Sequence, residues 1–526
     1  RLTMSALIRD LDLVAPDEPD MPPVAPAVGQ APALVRVHEA DNVAVAVTPI
    51  PASTRVSVGG VEVEAQSEIP FGHKVALRPI AAGEGVVKYG HRLGSATEAI
   101  APGAHVHTHN LRTDLSDALS YTYEPFAPAV RPATGLMPTF QGYRRAGGRV
   151  GTRNEVWIVN TVGCVNHAAD RIARIAGDRF AGVIDGMHSF SHPYGCSQLG
   201  DDLVHTQRVL AGLMRHPNAG GVLVLGLGCE NNQMDHLLAL AGDVDRARLR
   251  FFNTQDVTDE VEEGVEAVAD LVALMQQDRR EPCPLSDLVV GLKCGGSDAF
   301  SGLTANPLVG RIADAVTAHG GTAILTEVPE MFGAEQLLMN RAASPEVFEK
   351  TVTLVNDFKA YFQRHGQPVY ENPSPGNKAG GLTTLEEKSL GATQKGGSAT
   401  VTQVLAYGEP VQKGGLALLE APGNDGVSVT AEVASGATVV LFTTGRGTPL
   451  GFPVPTLKIS SNSDLAARKP HWIDFDAGRL LAGASMDTLA DELLGLILRV
   501  ASGEQQARNE VNGYREIAIW KSGVTL

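Results

Sequence analysis

The sequence predicts a multidomain α/β protein, in which a small N-terminal β-domain precedes two α/β domains with mainly parallel sheets. Three observations lead to this prediction. The chain has 526 residues, more than one hydrophobic core usually serves. Short β-type segments separated by glycines fill residues 34–110. From about residue 142, apolar strand-like runs alternate with helical stretches, which is typical of βαβ units with parallel pairing.

Changes in composition divide the chain into five regions. Residues 1–33 carry six prolines and are predicted to be a disordered leader. Residues 34–110 form the β-domain, and the proline-containing stretch 111–141 is predicted to be an extended linker. A central α/β domain over 142–284 and a C-terminal α/β domain over 285–526 follow.

The individual elements follow from local patterns. In the β-domain, Val43–Val47 is an apolar strand and Thr54–Val63 alternates around Gly59-Gly60, which predicts a hairpin. In the α/β region, strands are predicted at 156–161, 181–185, 221–225, 287–291, 322–327, 399–405 and 438–443. Helices are predicted at 198–215, 260–276, 307–319, 345–365 and 487–501.

Charge and composition exclude several classes of function. The formal net charge of −16 disfavours nucleic-acid binding, which needs basic surfaces. An anionic substrate would require a local cluster of cations or helix N-termini. No run of 18 apolar residues predicts a membrane span, and the first residues lack the apolar core of a signal peptide. We therefore expect a cytoplasmic protein.

Four of the five cysteines occupy matching positions. Cys164, Cys196, Cys229 and Cys294 lie in glycine-flanked turns after predicted strands, at the sheet edge where ligands bind in open α/β folds. Thiolates and imidazoles suit iron or zinc better than magnesium. The alternative is that each cysteine is a small buried apolar residue. Cys283 precedes its strand and is interpreted as structural.

Histidines form a second pattern. His105, His107 and His109 alternate, so a strand would place them on one face. Together with His73 they could bind a metal ion or supply a general acid. A solvated strand edge explains the triplet equally well.

Three glycine-rich polar loops form a third pattern, at 294–302, 372–381 and 443–449. Backbone N–H groups freed by glycine can bind carboxylates, and Arg446 could hold one bidentately. Neither a phosphate-binding loop nor a dinucleotide fingerprint is present, so nucleotide binding is not supported.

Longer strings in these same loops resemble the altronate/galactarate dehydratase family, and the resemblance runs from about Leu34 to Leu526. The strings are Gly72–Leu77 (GHKVAL), Ser191–Gly200 (SHPYGCSQLG), Gly226–Asn232 (GLGCENN), Leu292–Asp298 (LKCGGSD), Thr326–Gly333 (TEVPEMFG), Asn372–Lys378 (NPSPGNK) and Thr444–Pro449 (TGRGTP). Four strings look like the altronate branch: Thr326–Gly333 again, His105–Asn110 (HVHTHN), His471–Asp476 (HWIDFD) and Lys521–Leu526 (KSGVTL).

The resemblance implies a fold and an activity. The N-terminal domain would be a SAF-like β-clip, and the enzyme would be a hydro-lyase of galacturonate breakdown. It would convert D-altronate to 2-dehydro-3-deoxy-D-gluconate and water with a divalent metal, usually iron. Fe²⁺ as a single ion or as an iron–sulfur cluster stays open, as does Mn²⁺ as a substitute. The alternatives are a galactarate dehydratase and a non-catalytic sugar-acid-binding protein; a structural zinc protein is disfavoured because paired cysteine knuckles are missing.

Residue roles follow as hypotheses. The metal would be held by some of Cys164, Cys196, Cys229, Cys294 and His192, or instead by His73, His105 and His107. His73 is the predicted acid or base from the small domain, and Asp298 or Glu327 could be bases or metal ligands. Substrate would be bound by Ser297, Asn306, Asn377, Lys378 and Arg446. We expect a homodimer whose only other partner is a small sugar acid.

Overall fold

The computed structural model describes residues 33–115, 120–126, 137–242 and 244–523. The predicted leader, residues 1–33, lies outside them except for its last residue. The predicted architecture is confirmed: an antiparallel β-domain precedes two parallel sheets of four and seven strands. No helix within the described ranges combines the length and the apolar character that crossing a bilayer requires.

The N-terminal domain consists of short antiparallel strands. They are β1 (Leu34–Val35), β2 (Val43–Ala46), β3 (Arg55–Val58), β4 (Val61–Glu64), β5 (Lys74–Ala76), β6 (Gly85–Lys88), β7 (His91–Ala96), β8 (His105–Val106) and β9 (Leu111–Arg112). They form three sheets with the orders β1-β2-β5-β8, β3-β4 and β6-β7-β9. The predicted β3–β4 hairpin is confirmed. It turns at Gly59 and Gly60, whose φ angles of 55° and 78° suit glycine.

The predicted linker, residues 111–141, is only partly an extended connection. Its start forms β9, and its end forms β10 (Thr139–Arg144), which pairs with β11 (Val150–Gly151). Between them, Tyr121 donates a hydrogen bond to Glu335 (2.6 Å), and Phe126 N donates to the Asn340 carbonyl (2.8 Å). The described part of this segment therefore packs against the C-terminal domain instead of acting as a free spacer.

The second domain is a four-stranded parallel sheet covered by helices on both faces. Its elements are β12 (Glu155–Asn160), α1 (Asn166–Arg179), β13 (Gly186–Ser189), α2 (Gly200–Met214), β14 (Ala219–Gly226), α3 (Met234–Ala241), β15 (Leu249–Asn253) and α4 (Glu260–Met275), in the sheet order β13-β12-β14-β15. The predicted strand at 181–185 was wrong, because Gly182 turns there with φ 78° and β13 begins only at Gly186. After α4, β16 (Glu281–Pro284) pairs with β10 and leads into the third domain.

The C-terminal domain is built on a seven-stranded parallel sheet with the order β19-β20-β18-β17-β21-β22-β23. Its strands are β17 (Val289–Cys294), β18 (Thr322–Leu325), β19 (Val401–Leu405), β20 (Gly415–Leu419), β21 (Val439–Thr444), β22 (Thr456–Ser460) and β23 (Phe475–Asp476). Its helices are α5 (Ala305–Ala318), α6 (Glu335–Met339), α7 (Pro345–Arg364), α8 (Pro375–Ala379), α9 (Leu385–Ala392), α10 (Asp425–Ala434), α11 (Ser463–Arg468), α12 (Met486–Ala501) and α13 (Arg508–Val511). β21 is buried along its whole length, as expected for a central parallel strand.

A buried ion cluster joins the N-terminal domain to the C-terminal domain. Lys74 on β5 and Lys88 on β6 each donate to the carboxylate of Glu387 on α9 at 2.8 Å, and all three side chains are buried. Burial lowers the pKa of Lys74 to about 8 against the opposing effect of Glu387. Burial would raise the pKa of Glu387, but the two ammonium groups lower it to about 2. The carboxylate is therefore ionised at neutral pH and compensates two buried cations.

The first prediction concerns this cluster. Glu387→Gln leaves two buried ammonium groups without a counter-ion, so we expect the free energy of unfolding to fall by about 3–5 kcal/mol. Urea denaturation followed by circular dichroism measures the change. Glu64→Gln, which removes the exposed pair with Arg55, is the control and should change little. Equal stability of the Glu387→Gln variant and the wild type would contradict the structural role.

Candidate functional site

A polar cavity of about 640 Å³ lies at the carboxyl edge of the seven-stranded sheet. The turn after β17, the segment around α8 and the start of α10 form its walls. Its charged and polar lining includes Cys294, Glu330, Asn372, Ser374, Asn377, Lys378, Lys388, Asn424 and Asp425. This is the edge at which open α/β sheets bind ligands.

Buried charges surround this cavity. Lys293 on β17 donates to Glu327, which follows β18, and it also pairs with Asp425 at 3.0 Å. Lys395 donates to the other oxygen of Glu327 at 3.1 Å. Lys388 pairs with Glu330 at 2.8 Å. Lys388 lines the cavity together with Lys378, and these two lysines provide the local cations that an anionic substrate needs in a chain of net charge −16.

Glu327 has the most constrained backbone in this network. Its φ of 65° lies in the left-handed region, which costs a non-glycine residue on the order of 1 kcal/mol or more. Its carboxylate accepts hydrogen bonds from both lysines and from Cys294 N (3.2 Å). Burial raises its pKa, and the lysines act in the opposite direction. Its role as base or metal ligand stays a prediction. The described contacts of its side chain hold the two lysines and the β17 turn in place.

Cys294 belongs to this cavity. Its thiol lies 2.6 Å from Ser297 Oγ, and Asn306 Nδ2 lies 3.8 Å from the sulfur. Asn306 also donates to the Gly391 carbonyl (3.0 Å) and accepts from Thr443 Oγ1 (2.6 Å). The amide of Asn306 thus holds the turn in place, whereas Cys294 lines the open space.

Asp298 is enclosed by hydrogen-bond donors. Its Oδ1 accepts from Ser461 Oγ (2.8 Å) and from the backbone and hydroxyl of Ser301 (2.9 and 3.0 Å). Asn462 Nδ2 donates to the other oxygen at 3.1 Å. Burial raises the pKa of the carboxyl, and these donors oppose that shift. The geometry favours a role in joining loops over the predicted role as base, because the oxygens are already used.

The remaining predicted substrate ligands differ in position. Asn377 donates to the Ser297 carbonyl (2.8 Å) and caps α8, so it positions the cavity wall. Lys378 is half-buried and lines the cavity. Arg446 is exposed, and its backbone N donates to the Gly296 carbonyl (3.0 Å). Lys378 is thus the best placed of these three for a substrate carboxylate.

The histidine pattern forms a compact cluster at the domain junction. His73 Nδ1 lies 2.9 Å from His105 Nε2, and the His73 and His107 ring centres are 4.7 Å apart. His73 Nε2 lies 3.4 Å from the Ala379 carbonyl, directly after Lys378. Burial lowers the pKa of His105 to about 4 and of His107 to about 3, and it also lowers the pKa of His73. These imidazoles are neutral at pH 7, so they can accept a proton or bind a metal.

Three thiols lie at the carboxyl edge of the second domain. Cys164, Cys196 and Cys229 follow β12, β13 and β14, which are neighbours in the sheet, and all three are exposed. Backbone hydrogen bonds join their loops: Gly163 N to the Tyr194 carbonyl (2.9 Å) and Asn232 N to the Gly195 carbonyl (3.1 Å). The sequence-based placement of these three cysteines at one sheet edge agrees with the structure.

Two predicted metal ligands are not part of this set. Cys294 ends a strand of the other sheet, where it is buried beside Ser297. The ring nitrogens of His192 are both used, because Nε2 contacts the Asn160 carbonyl (2.8 Å) and Nδ1 accepts from Tyr194 N (3.2 Å). His192 therefore fixes the loops. Nowhere in the described ranges do three histidine, cysteine or acidic side chains lie close enough to share one metal ion.

Comparison with known proteins identifies the family. The SAF domain model of altronate/galactarate dehydratases matches residues 32–114, the second-domain model of D-galactarate dehydratase/altronate hydrolase matches 142–276, and the C-terminal model of D-galactarate/altronate dehydratases matches 285–525. The chain belongs to the D-galactarate/altronate dehydratase family. The described SAF domain supplies the histidine cluster, and the matched C-terminal domain supplies the charged cavity.

Individual relatives cover nearly the whole chain. It is 54% identical to the altronate dehydratase of Escherichia coli and 51% identical to that of Bacillus subtilis, each over 94% of this chain and 99% of the relative. It is 35% identical to the L-threo-forming galactarate dehydratase of Escherichia coli, over 92% of this chain and 96% of that one. Within this family, the chain is thus more similar to these altronate dehydratases.

Sequence reasoning missed much of the charged network. Lys293, Glu330, Lys388 and Lys395 were not proposed as site residues, although Lys293 and Glu330 lie inside strings that carried the family resemblance. A lysine within the apolar strand β17 was the available signal, because a buried charge needs a partner.

The second prediction tests the role of Asp298. Asp298→Asn replaces an acceptor with an amide that faces existing donors, so the free energy of unfolding should fall by about 1–3 kcal/mol. Urea denaturation measures it, with the exposed Asp464→Asn as control. Unchanged stability together with a large loss of turnover would instead support the role as base.

Proposed function

We propose that the protein removes water from D-altronate to give 2-dehydro-3-deoxy-D-gluconate. The observation that carries this proposal is the full-length identity of 54% and 51% to two altronate dehydratases, against 35% to a galactarate dehydratase. The cavity supports it, since it places lysines and amides at the ligand-binding edge of the sheet. A galactarate dehydratase and a sugar-acid-binding protein are the alternatives.

The reaction sets clear demands. A base takes the C2 proton, the C2–H electron pair forms the C2–C3 double bond, and the C3 hydroxyl leaves with a proton as water. The resulting enol then tautomerises to the 2-keto acid. Because C2 is bonded to a carboxylate, removing its proton adds negative charge beside an existing anion. Fixed cations must stabilise that charge.

Lys378 and Lys388 are the proposed carboxylate ligands. Both line the cavity, and Lys388 is held by Glu330 (2.8 Å) and Asn372 (3.0 Å), so its ammonium group is positioned before substrate enters. Such fixed charges cost little reorganisation during the reaction. Ser297, in contact with Cys294, is proposed to bind a hydroxyl of the polyol.

His73 is the proposed base. Its imidazole is neutral because burial lowers its pKa, and His105 contacts Nδ1 and orients the ring. With Nδ1–H donating to His105, the lone pair of Nε2 would take the proton, and substrate would displace the 3.4 Å contact of Nε2 with the Ala379 carbonyl. Because Ala379 directly follows Lys378, this contact holds the SAF-domain imidazole against the segment that carries the proposed carboxylate ligand.

Iron is part of the same proposal. Cys164, Cys196 and Cys229 fit it, because they are exposed thiols with soft ligand character on three neighbouring strands. A cluster fits better than one ion, since each thiolate would bind a different iron and the thiols need not converge on one point. A single ion at His73, His105 and His107 is the alternative, which would need these side chains to lie closer together than they do in the structure. When bound, iron would supply Lewis acidity toward the substrate's oxygens.

Location and assembly complete the proposal. All five cysteines are free, which suits the reducing cytoplasm. A homodimer stays a prediction that light scattering on the purified protein checks.

The third prediction is the substrate preference. Under anaerobic conditions with iron supplied, kcat/KM for D-altronate should exceed that for galactarate by at least about a hundredfold. The reason is that a site for a terminal CH₂OH group has no cation to pair with the second carboxylate of galactarate. Formation of the 2-keto acid measures both rates. Faster turnover of galactarate would favour the first alternative, and binding of altronate without turnover would favour the second.

The fourth prediction concerns the iron ligands. Cys164→Ser, Cys196→Ser and Cys229→Ser should each lose most of the bound iron and the broad visible absorbance of a cluster in anaerobically purified protein. Cys283→Ser, at the buried cysteine beside β10, is the matched control and should keep both. Full iron retention in all three variants, with loss in His105→Gln, would move the iron to the histidine site.

The fifth prediction concerns the base. His73→Gln should lower kcat by about a hundredfold or more, with a smaller effect on KM, because general-base catalysis is lost while the cavity lysines remain. Steady-state kinetics on D-altronate measure this. His91→Gln, at an exposed position on β7, should keep normal kcat. Near-normal turnover of His73→Gln would show that another group takes the proton.

A further inference from the structure

A second cavity, of about 220 Å³, lies at the opposite edge of the four-stranded sheet from the three thiols. Its walls are the turn between β10 and β11, the end of α2 and the start of β14. It is lined by several arginines: Arg144, Arg145, Arg149, Arg215 and Arg248. In a chain of net charge −16, such a concentration of cations calls for an explanation.

Three of these arginines are compensated by acidic side chains. Arg248 forms a bidentate pair with Asp278 (2.6 and 2.8 Å), and Arg145 contacts the same carboxylate at 3.3 Å. Arg144 pairs with Glu281 (2.6 Å) and with Asp287 (2.8 Å) on the outer side of β10. Their charges and donors are used in the walls of the cavity.

Arg149 and Arg215 differ from these three. Neither forms an ion pair with an acidic residue in the described part of the chain. Arg215 donates through Nη1 to the Leu240 carbonyl (3.0 Å), but its Nε is buried and has no hydrogen-bond partner. Burial lowers the pKa of Arg215, and the nearby charge of Arg149 lowers it further. Two cations without an acidic partner therefore face the cavity, whose two lining carboxylates, Asp245 and Asp278, pair with Arg248 instead.

We propose that this cavity binds a small oxyanion between Arg149 and Arg215. The planar guanidinium groups match the paired oxygens of a phosphate or carboxylate, and a bound anion would remove the repulsion between the two cations. The site lies on the amino side of β14, away from both the thiols and the charged cavity. It is therefore a separate site, and its test does not depend on the dehydratase activity.

Binding would also join two elements. Arg149 belongs to the β10–β11 turn, whose Gly147 and Gly148 have open space around them, and Arg215 ends α2. An oxyanion held by both would bridge the turn and the end of α2. The thermal unfolding midpoint of the protein should therefore rise with the logarithm of anion concentration once that concentration exceeds Kd.

Isothermal titration calorimetry tests the proposal on the full chain without altronate, at constant low ionic strength. Inorganic phosphate and D-gluconate are titrated separately, so that the two sources of oxyanion are distinguished. Saturable binding of either anion, with a Kd at least about tenfold higher in Arg149→Gln, is expected. Arg149 has no described side-chain partner, so this variant should fold normally; circular dichroism checks that.

The control is Arg179→Gln. Arg179 is exposed and pairs with Glu266, and both residues lie on the face of the sheet opposite to α2. It should bind the anion as the wild type does. Three outcomes would overturn the proposal: no saturable binding of either anion, equal weakening in both variants, or saturable binding that Arg149→Gln leaves unchanged for every anion that binds. The last result would place the anion at another site, such as the charged cavity.

Discussion

The arrangement of the whole candidate site depends on the burial of two lysines against one carboxylate at the domain junction. Lys74 follows His73 directly, so the pairing of Lys74 with Glu387 fixes β5 and with it the imidazole. Lys74 also donates to the Gly381 carbonyl (2.9 Å), within the segment that carries Lys378. A buried ion pair must keep its close geometry, because a buried charge without a partner is costly in free energy. The SAF domain is thereby held against the cavity in one orientation.

A second group of buried charges fixes the positions of loops inside the C-terminal domain. Lys293 and Lys395 share Glu327, whose left-handed backbone aims its carboxylate at the β17 turn. The β17 turn is thus held by the hydrogen bond from Cys294 N to Glu327, and the start of α10 by the pair of Lys293 with Asp425. A site built in this way presents Lys388 to an anion while its ammonium group keeps Glu330 as a partner.

Local sequence patterns correctly predicted the features that depend on residues close together in the chain. The β3–β4 hairpin, the alternation of strands and helices, and the position of four cysteines after strands follow from glycine turns and apolar periodicity. The same patterns do not state which strands share a sheet. Cys294 was therefore grouped with Cys164, although β17 and β12 belong to different sheets. The apolar run around Gly182 also led to a wrong prediction for the start of β13, because Gly182 lies in a turn.

Long-range pairing was equally invisible in the sequence. Glu387 is about three hundred residues from Lys74 and Lys88, and nothing in its own helix indicates that it is buried. In the sequence, His192 lies in a loop that suits a metal ligand. In the structure, both of its ring nitrogens contact backbone groups. Asp298 likewise lies in a loop suited to catalysis, yet three side chains and two backbone N–H groups donate hydrogen bonds to it.

The central claim is that the candidate site is shared by the SAF domain and the C-terminal domain. Hydrogen–deuterium exchange with and without saturating D-altronate, on protein treated with a chelator to remove any bound iron, tests it most directly. The account predicts slower exchange in both the segment around His73–Ala76 and the segment around Asn377–Thr383. Protection confined to one of these domains, or found only around Cys164, Cys196 and Cys229, would contradict it.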